Sequence, residues 1–131
     1  MIVSVTPVWF HEITLAPEAR SIAAARRFVR GHLGAHGLAL LVDDIVLVAS
    51  ELATNALAHA GTSFTVSLTA FAGTVVLAVR DGSAAFPERV DARAQETAGR
   101  GVAIVSAVSR EWGVVADGTA GKSVWAAFDA G

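Results

Sequence analysis

The stretch Glu51-Leu52-Ala53-Thr54-Asn55-Ala56-Leu57-Ala58-His59-Ala60 decides how this chain is read. Glu51, Asn55 and His59 recur every fourth residue. At about 100° per residue, successive members drift by only about 40°, so on a helix they form one polar stripe. Ile45, Val48, Leu52 and Ala56 form an apolar stripe beside it, and Ala53, Ala56 and Ala58 are small enough to let another group approach closely. This spacing predicts a long helix over 38–60, stopped by Gly61. Polar groups beside an apolar stripe cost free energy unless they are solvated, paired or in use. A solvated face ending in a histidine is the plain account of the stripe, and a binding site is the sharper one.

Working outward, residues 9–15 alternate in the manner of a strand that Pro17 ends. A first helix is predicted over 17–33, with Ile22, Ala25, Phe28 and Val29 as its apolar stripe and Arg20, Arg26, Arg27 and Arg30 largely off it. After the long helix, Phe64, Val66 and Leu68 alternate with Thr65, Ser67 and Thr69; Gly73 marks a turn, and Val75, Leu77 and Val79 continue the pattern as a hairpin. Residues 82–99 are polar and read as a loop. A short helix is predicted from Gly101 to Arg110, and a second hairpin pairs 112–116 with 123–128. The predicted fold class is α/β (α+β): a two-layer sandwich with helices on one face of a mixed, mostly antiparallel sheet.

The bulk numbers narrow the function. A chain of 131 residues, 53% hydrophobic and 17% charged, is expected to form a single domain over 1–131 with a substantial core. A net charge of −2 supplies no basic field for counterion release, so no nucleic-acid partner is expected. The absence of cysteine excludes disulfides and thiolate metal sites and fits a cytoplasmic setting. Residues 1–7 lack the features of a signal peptide, and Asp43 and Asp44 interrupt the longest apolar run, so no membrane segment is expected.

Several residues carry candidate chemistry. The amide oxygen of Asn55 is a hard, neutral ligand suited to Mg²⁺, which takes one or two protein oxygens plus substrate phosphates. Glu51, one turn earlier, is placed to accept a proton from a water or hydroxyl near such a metal. Asp81 follows an apolar strand, where a carboxylate can accept from the exocyclic amine of adenine; the commoner meaning of Asp81-Gly82 is a turn. Gly99-Arg100-Gly101 precedes Val102 and a helical run, and free N–H groups at a helix start bind phosphate. Three patterns are rejected. Residues 118–123 are too short for a P-loop and lead into a strand. Gly99-Arg100-Gly101 lacks the third glycine of a dinucleotide fingerprint. His32 and His36 have helical spacing but no evident third ligand, and read as a solvated helix end.

Taken together, these pieces resemble the GHKL ATPases, the superfamily of gyrase, the Hsp90 chaperones, histidine kinases and MutL. Glu51-x-x-x-Asn55 looks like the N box, Asp81 like the G1 aspartate, Gly99-Arg100-Gly101-Val102 like the G2 box and Gly121-Lys122-Ser123-Val124-Trp125 like the final strand motif. The match is nearest to the compact branch of anti-sigma-factor serine kinases and covers Phe10 to Phe128. The resemblance implies a Bergerat-type ATP-binding fold, with Asn55 as Mg²⁺ ligand, Glu51 as general base, and Asp81 on the adenine amine, supported by Ser123. It also implies Gly99, Arg100 and Gly101 in a lid over the phosphates, with Ser83 and Val102 in the nucleotide-binding boxes and His59 orienting Glu51 or shaping the mouth. Two departures stand out. The superfamily's Asp-x-Gly-x-Gly is here Asp81-Gly82-Ser83-Ala84-Ala85, and Ala58 stands where many relatives have arginine.

The resemblance implies an ATP- and Mg²⁺-dependent protein serine/threonine kinase. Its implied acceptor is a STAS-type anti-sigma-factor antagonist; a sigma factor is a second implied partner, and a homodimer the implied assembly. A partner-binding module with weak or no catalysis, responsive to nucleotide, is the competing expectation. A standalone ATP hydrolase is a third, disfavoured because no coupled domain is evident.

Overall fold

The computed structural model describes residues 6–82, 104–116 and 121–131. Five strands and two long helices are defined: β1 (Trp9–Leu15), α1 (Arg20–Ala35), α2 (Val42–His59), β2 (Phe64–Phe71), β3 (Thr74–Asp81), β4 (Glu111–Ala116) and β5 (Lys122–Asp129). Residues 104–108 are also helical. The expected boundaries hold to within a few residues. The first helix begins at Arg20 rather than Pro17, because 16–19 form a turn in which Glu18 N donates to Ala16 O and the Ser21 hydroxyl also donates to Ala16 O. The long helix has a 3₁₀ prelude at Ala39–Leu41; the α-helix proper opens at Val42, with Asp43 and Asp44 in the first turn, where the helix dipole favours negative charge.

The sheet order is β1-β2-β3-β5-β4, and all four pairings are antiparallel, a sharper result than the mixed sheet expected. The two-residue turn at 72–73 closes the β2–β3 hairpin; Gly73 sits at φ 78°, a region open to glycine without a Cβ penalty. Strand β5 returns between β3 and β4, so the second hairpin adds to the sheet through its last strand.

The register puts Ile13, Leu15, Phe64, Val66, Leu68, Val75, Leu77, Val79, Ala126 and Phe128 on one face. The helices cover that face. Ala25, Val29 and Leu33 of α1 and Ile45, Val48, Ala49, Leu52, Ala53 and Ala56 of α2 are buried in the same core. Each fully buried Leu, Ile, Val or Phe contributes about 1.5–3 kcal/mol of transfer free energy, so burial of this apolar surface is the main force holding the layers together. The buried stripe of α1 runs Ser21, Ala25, Val29, Leu33, with Ile22 and Phe28 only partly buried at its flank. The other sheet face carries Thr14, Thr65, Ser67, Thr69, Val76, Ala78, Trp125 and Ala127, and no described helix packs on it.

Candidate functional site

Asp81 is the last residue of β3 and Lys122 the first of β5; they lie directly opposite each other and share the helix-facing side of the sheet. The Lys122 ammonium straddles the carboxylate, with Nζ 3.1 Å from Oδ2 and 3.3 Å from Oδ1. Both side chains are largely removed from solvent, at 13% and 5% exposure for Lys122 and Asp81. An ion pair this deep is held by its geometry, because neither charge tolerates burial without the other.

Two further contacts fix this corner. The backbone N–H of Gly82 donates to the Thr62 hydroxyl at 3.0 Å, tying the end of β3 to the link at 60–63 that follows α2. Gly121 passes so close to β3 that an added Cβ would sit 2.1 Å from the Asp81 carbonyl oxygen. Only glycine allows that approach, which gives the glycine of the Gly121-Lys122-Ser123 motif a concrete function.

The polar stripe of α2 forms as expected. Glu51 and Asn55 are half-buried, His59 is exposed in the last turn, and none of the three side chains hydrogen-bonds to a described residue. The chain passes from α2 through 60–63 into β2, whose first residue, Phe64, is the cross-strand partner of Asp81. The C-terminal turns of α2 and the Asp81–Lys122 corner therefore lie at the same end of the sandwich. Ala58 is exposed.

Ser123 does not join Asp81. It is the cross-strand partner of Arg80, on the sheet face away from the helices. Strand alternation is the reason: one residue along β5, the side chain points to the opposite face, so Lys122 and not Ser123 stands beside Asp81. Reading the motif without its pleat missed Lys122. Parity alone did not reveal it, because Val124, Trp125, Ala126, Ala127 and Phe128 are apolar on both faces. Ser83, Gly99, Arg100, Gly101 and Val102 lie outside the described residues, as does the loop predicted over 83–98. Strand β5 opens at Lys122, so the chain after the 118–121 stretch is a strand and not the helix a P-loop requires.

Among the described residues, no group of three or more His, Asp or Glu side chains converges on a metal position. If Mg²⁺ enters on substrate phosphates, the half-buried amide oxygen of Asn55 is the neutral ligand that would hold it. The histidines expected at a solvated helix end also make ring contacts there: His36 is exposed and His32 half-buried. His36 stacks on Trp9 at 4.0 Å between ring centroids, and His32 stacks on His11 at 3.8 Å. The register of β1 aims Trp9 and His11 at α1, which is why these rings meet the exposed end of that helix. An open groove bounded by residues 37–41 and 129–131 lies at the other end of β3 and β5 and includes no predicted site residue.

This architecture, an antiparallel sheet backed by helices with an aspartate at a strand end and Glu51-x-x-x-Asn55 on the long helix, defines an ATP-binding class. The family model of the histidine kinase-like ATPase domain matches residues 15–128, and the chain belongs to that family. It is thus a GHKL-type ATP-binding protein. Comparison with the curated proteins finds no match. No described helix is long and apolar enough to cross a membrane.

Proposed function

We propose that the chain is an ATP·Mg²⁺-dependent protein serine/threonine kinase of the anti-sigma-factor type. The observation that carries the reading is the shared corner: a buried aspartate at the end of β3, its strand end bound through Gly82 and Thr62 to the link after α2, with Glu51 and Asn55 on that helix making no side-chain hydrogen bond to a described residue. Asp81 accepts a hydrogen bond from the adenine amine. Asn55 supplies the protein's oxygen to Mg²⁺, which when bound neutralises phosphate charge during transfer. Gly99, Arg100 and Gly101 cover the phosphates, and Ser83, Val102 and His59 border the nucleotide.

In the transfer step, the hydroxyl oxygen of an acceptor serine forms a bond to the γ-phosphorus. The bond from that phosphorus to the β–γ bridging oxygen breaks, and ADP leaves. Glu51 takes the hydroxyl proton. The acceptor is a serine on a STAS-type anti-sigma-factor antagonist, a sigma factor is a second partner, and the chain pairs as a homodimer.

Calorimetric titration with ATP, with and without Mg²⁺, tests the site. Wild type should bind in the micromolar range in an Mg²⁺-dependent manner, and Asn55→Ala should lose the Mg²⁺-dependent part. Glu51→Ala should bind ATP and fail to transfer phosphate; a Glu51→Ala protein that still phosphorylates its acceptor would remove Glu51 from the chemistry. A second reading has a specific basis: Ser83-Ala84-Ala85 replaces the glycines of the G1 box and Ala58 replaces an arginine. On that reading the chain is a nucleotide-responsive binding module with weak or no catalysis. Nucleotide binding without phosphotransfer to any STAS or sigma partner would favour it.

A further inference from the structure

A carboxylate that reads an exocyclic amine needs only lone pairs, yet Asp81 shares its corner with a buried ammonium. Lys122 has three N–H donors. Its nitrogen lies within hydrogen-bonding distance of both Asp81 oxygens, which engages at most two of those donors. The remaining donor meets no acceptor among the described residues, in a position with little access to water. Gly121 and the β3–β5 register hold both groups at one point on the helix-facing side. The corner therefore presents an acceptor and a donor side by side. The edge of adenine carries the matching couple on adjacent atoms, the N6 amine as donor and N1 as acceptor.

We infer that Lys122 is a base-reading residue that donates to adenine N1 while Asp81 accepts from the N6 amine. The inference rests on the nucleotide reading proposed above and adds to it the group that recognises the ring. Asp81 alone selects for an amine. The pair also selects for an acceptor beside that amine, so a base keeping the amine but lacking N1 is rejected. A lysine serving only to join β3 to β5 would make no such distinction.

The test compares ATP with 1-deaza-ATP, in which a C–H group replaces N1, by calorimetric titration of the full chain. Wild type is expected to bind 1-deaza-ATP about tenfold to a hundredfold more weakly than ATP, the range for one hydrogen bond to a charged group. Lys122→Met keeps the length of the side chain and removes its donors, and should bind the two nucleotides equally. Equal affinities in wild type would overturn the inference while leaving the ATP site intact. A Lys122→Met protein that still prefers ATP would also overturn it, by placing the donor elsewhere. Failure of wild type to bind ATP at all would sink both the inference and the function it rests on. If loss of the ion pair unfolds Lys122→Met, the wild-type comparison decides alone.

Discussion

At residue scale the corner depends on size and parity. Gly121 has no spare room, since a methyl group there overlaps the Asp81 carbonyl. Gly121→Ala is expected to push β5 from β3, cost about 1–3 kcal/mol and weaken ATP binding together with stability. Thermal melts and titrations of the same variant check this; an unchanged melting temperature would show that the backbone absorbs the methyl group. Gly113 behaves similarly on the other face, where a Cβ would lie 2.9 Å from the Trp125 indole. Gly113→Ala should shift tryptophan fluorescence, because the indole must move off its cross-strand glycine. The stripe of α2 that carries Glu51 and Asn55 and the strand end at Asp81 were legible because each follows a pattern with a mechanical meaning: helical spacing, or the end of an apolar run. Lys122 was not legible, since choosing between it and Ser123 requires knowing which face of β5 meets the helices.

At the scale of elements, α2 organises the molecule. Its apolar stripe is the one that the residue spacing predicts, and Leu52 is only 5% exposed in the core. Leu52→Ala should cost about 2–5 kcal/mol, measured by denaturant unfolding. The contact between β1 and α1 makes a pH prediction. His32 has its pKa lowered, first by burial and then by the charges of His11 and His36, whose Nε2 atoms lie 3.0 Å apart. The folded state then binds fewer protons than the unfolded one, so stability rises with pH. This contribution is complete above the unfolded value of 6.5 and is lost as pH falls below it toward the lowered folded value. Wild type should melt at a lower temperature at pH 5.5 than at pH 7.5, and His32→Gln should flatten that difference. An equal pH dependence in the two proteins would place the titrating group elsewhere. None of this stack was legible from the spacing of His32 and His36, because His11 reaches them only through the antiparallel pairing of β1 with β2.

At the scale of the whole molecule, family membership predicts linkage between nucleotide and fold. A ligand that binds only the folded chain stabilises it by about 2.7 kcal/mol at a hundred times its dissociation constant. Saturating ATP with Mg²⁺ should therefore raise the melting temperature of wild type, and raise that of Asn55→Ala less. Local pattern alone determined the kinds of elements, their approximate limits and the polar stripe of α2, because helix period, strand alternation and turn residues are properties of neighbouring residues. Only the tertiary structure decided that β5 lies between β3 and β4, that Lys122 rather than Ser123 faces Asp81, and that three histidines share one cluster. Those outcomes depend on strand order and on which face of each strand the helices cover. Both are settled by burying one continuous apolar surface across segments distant in sequence, so no window of neighbouring residues contains them.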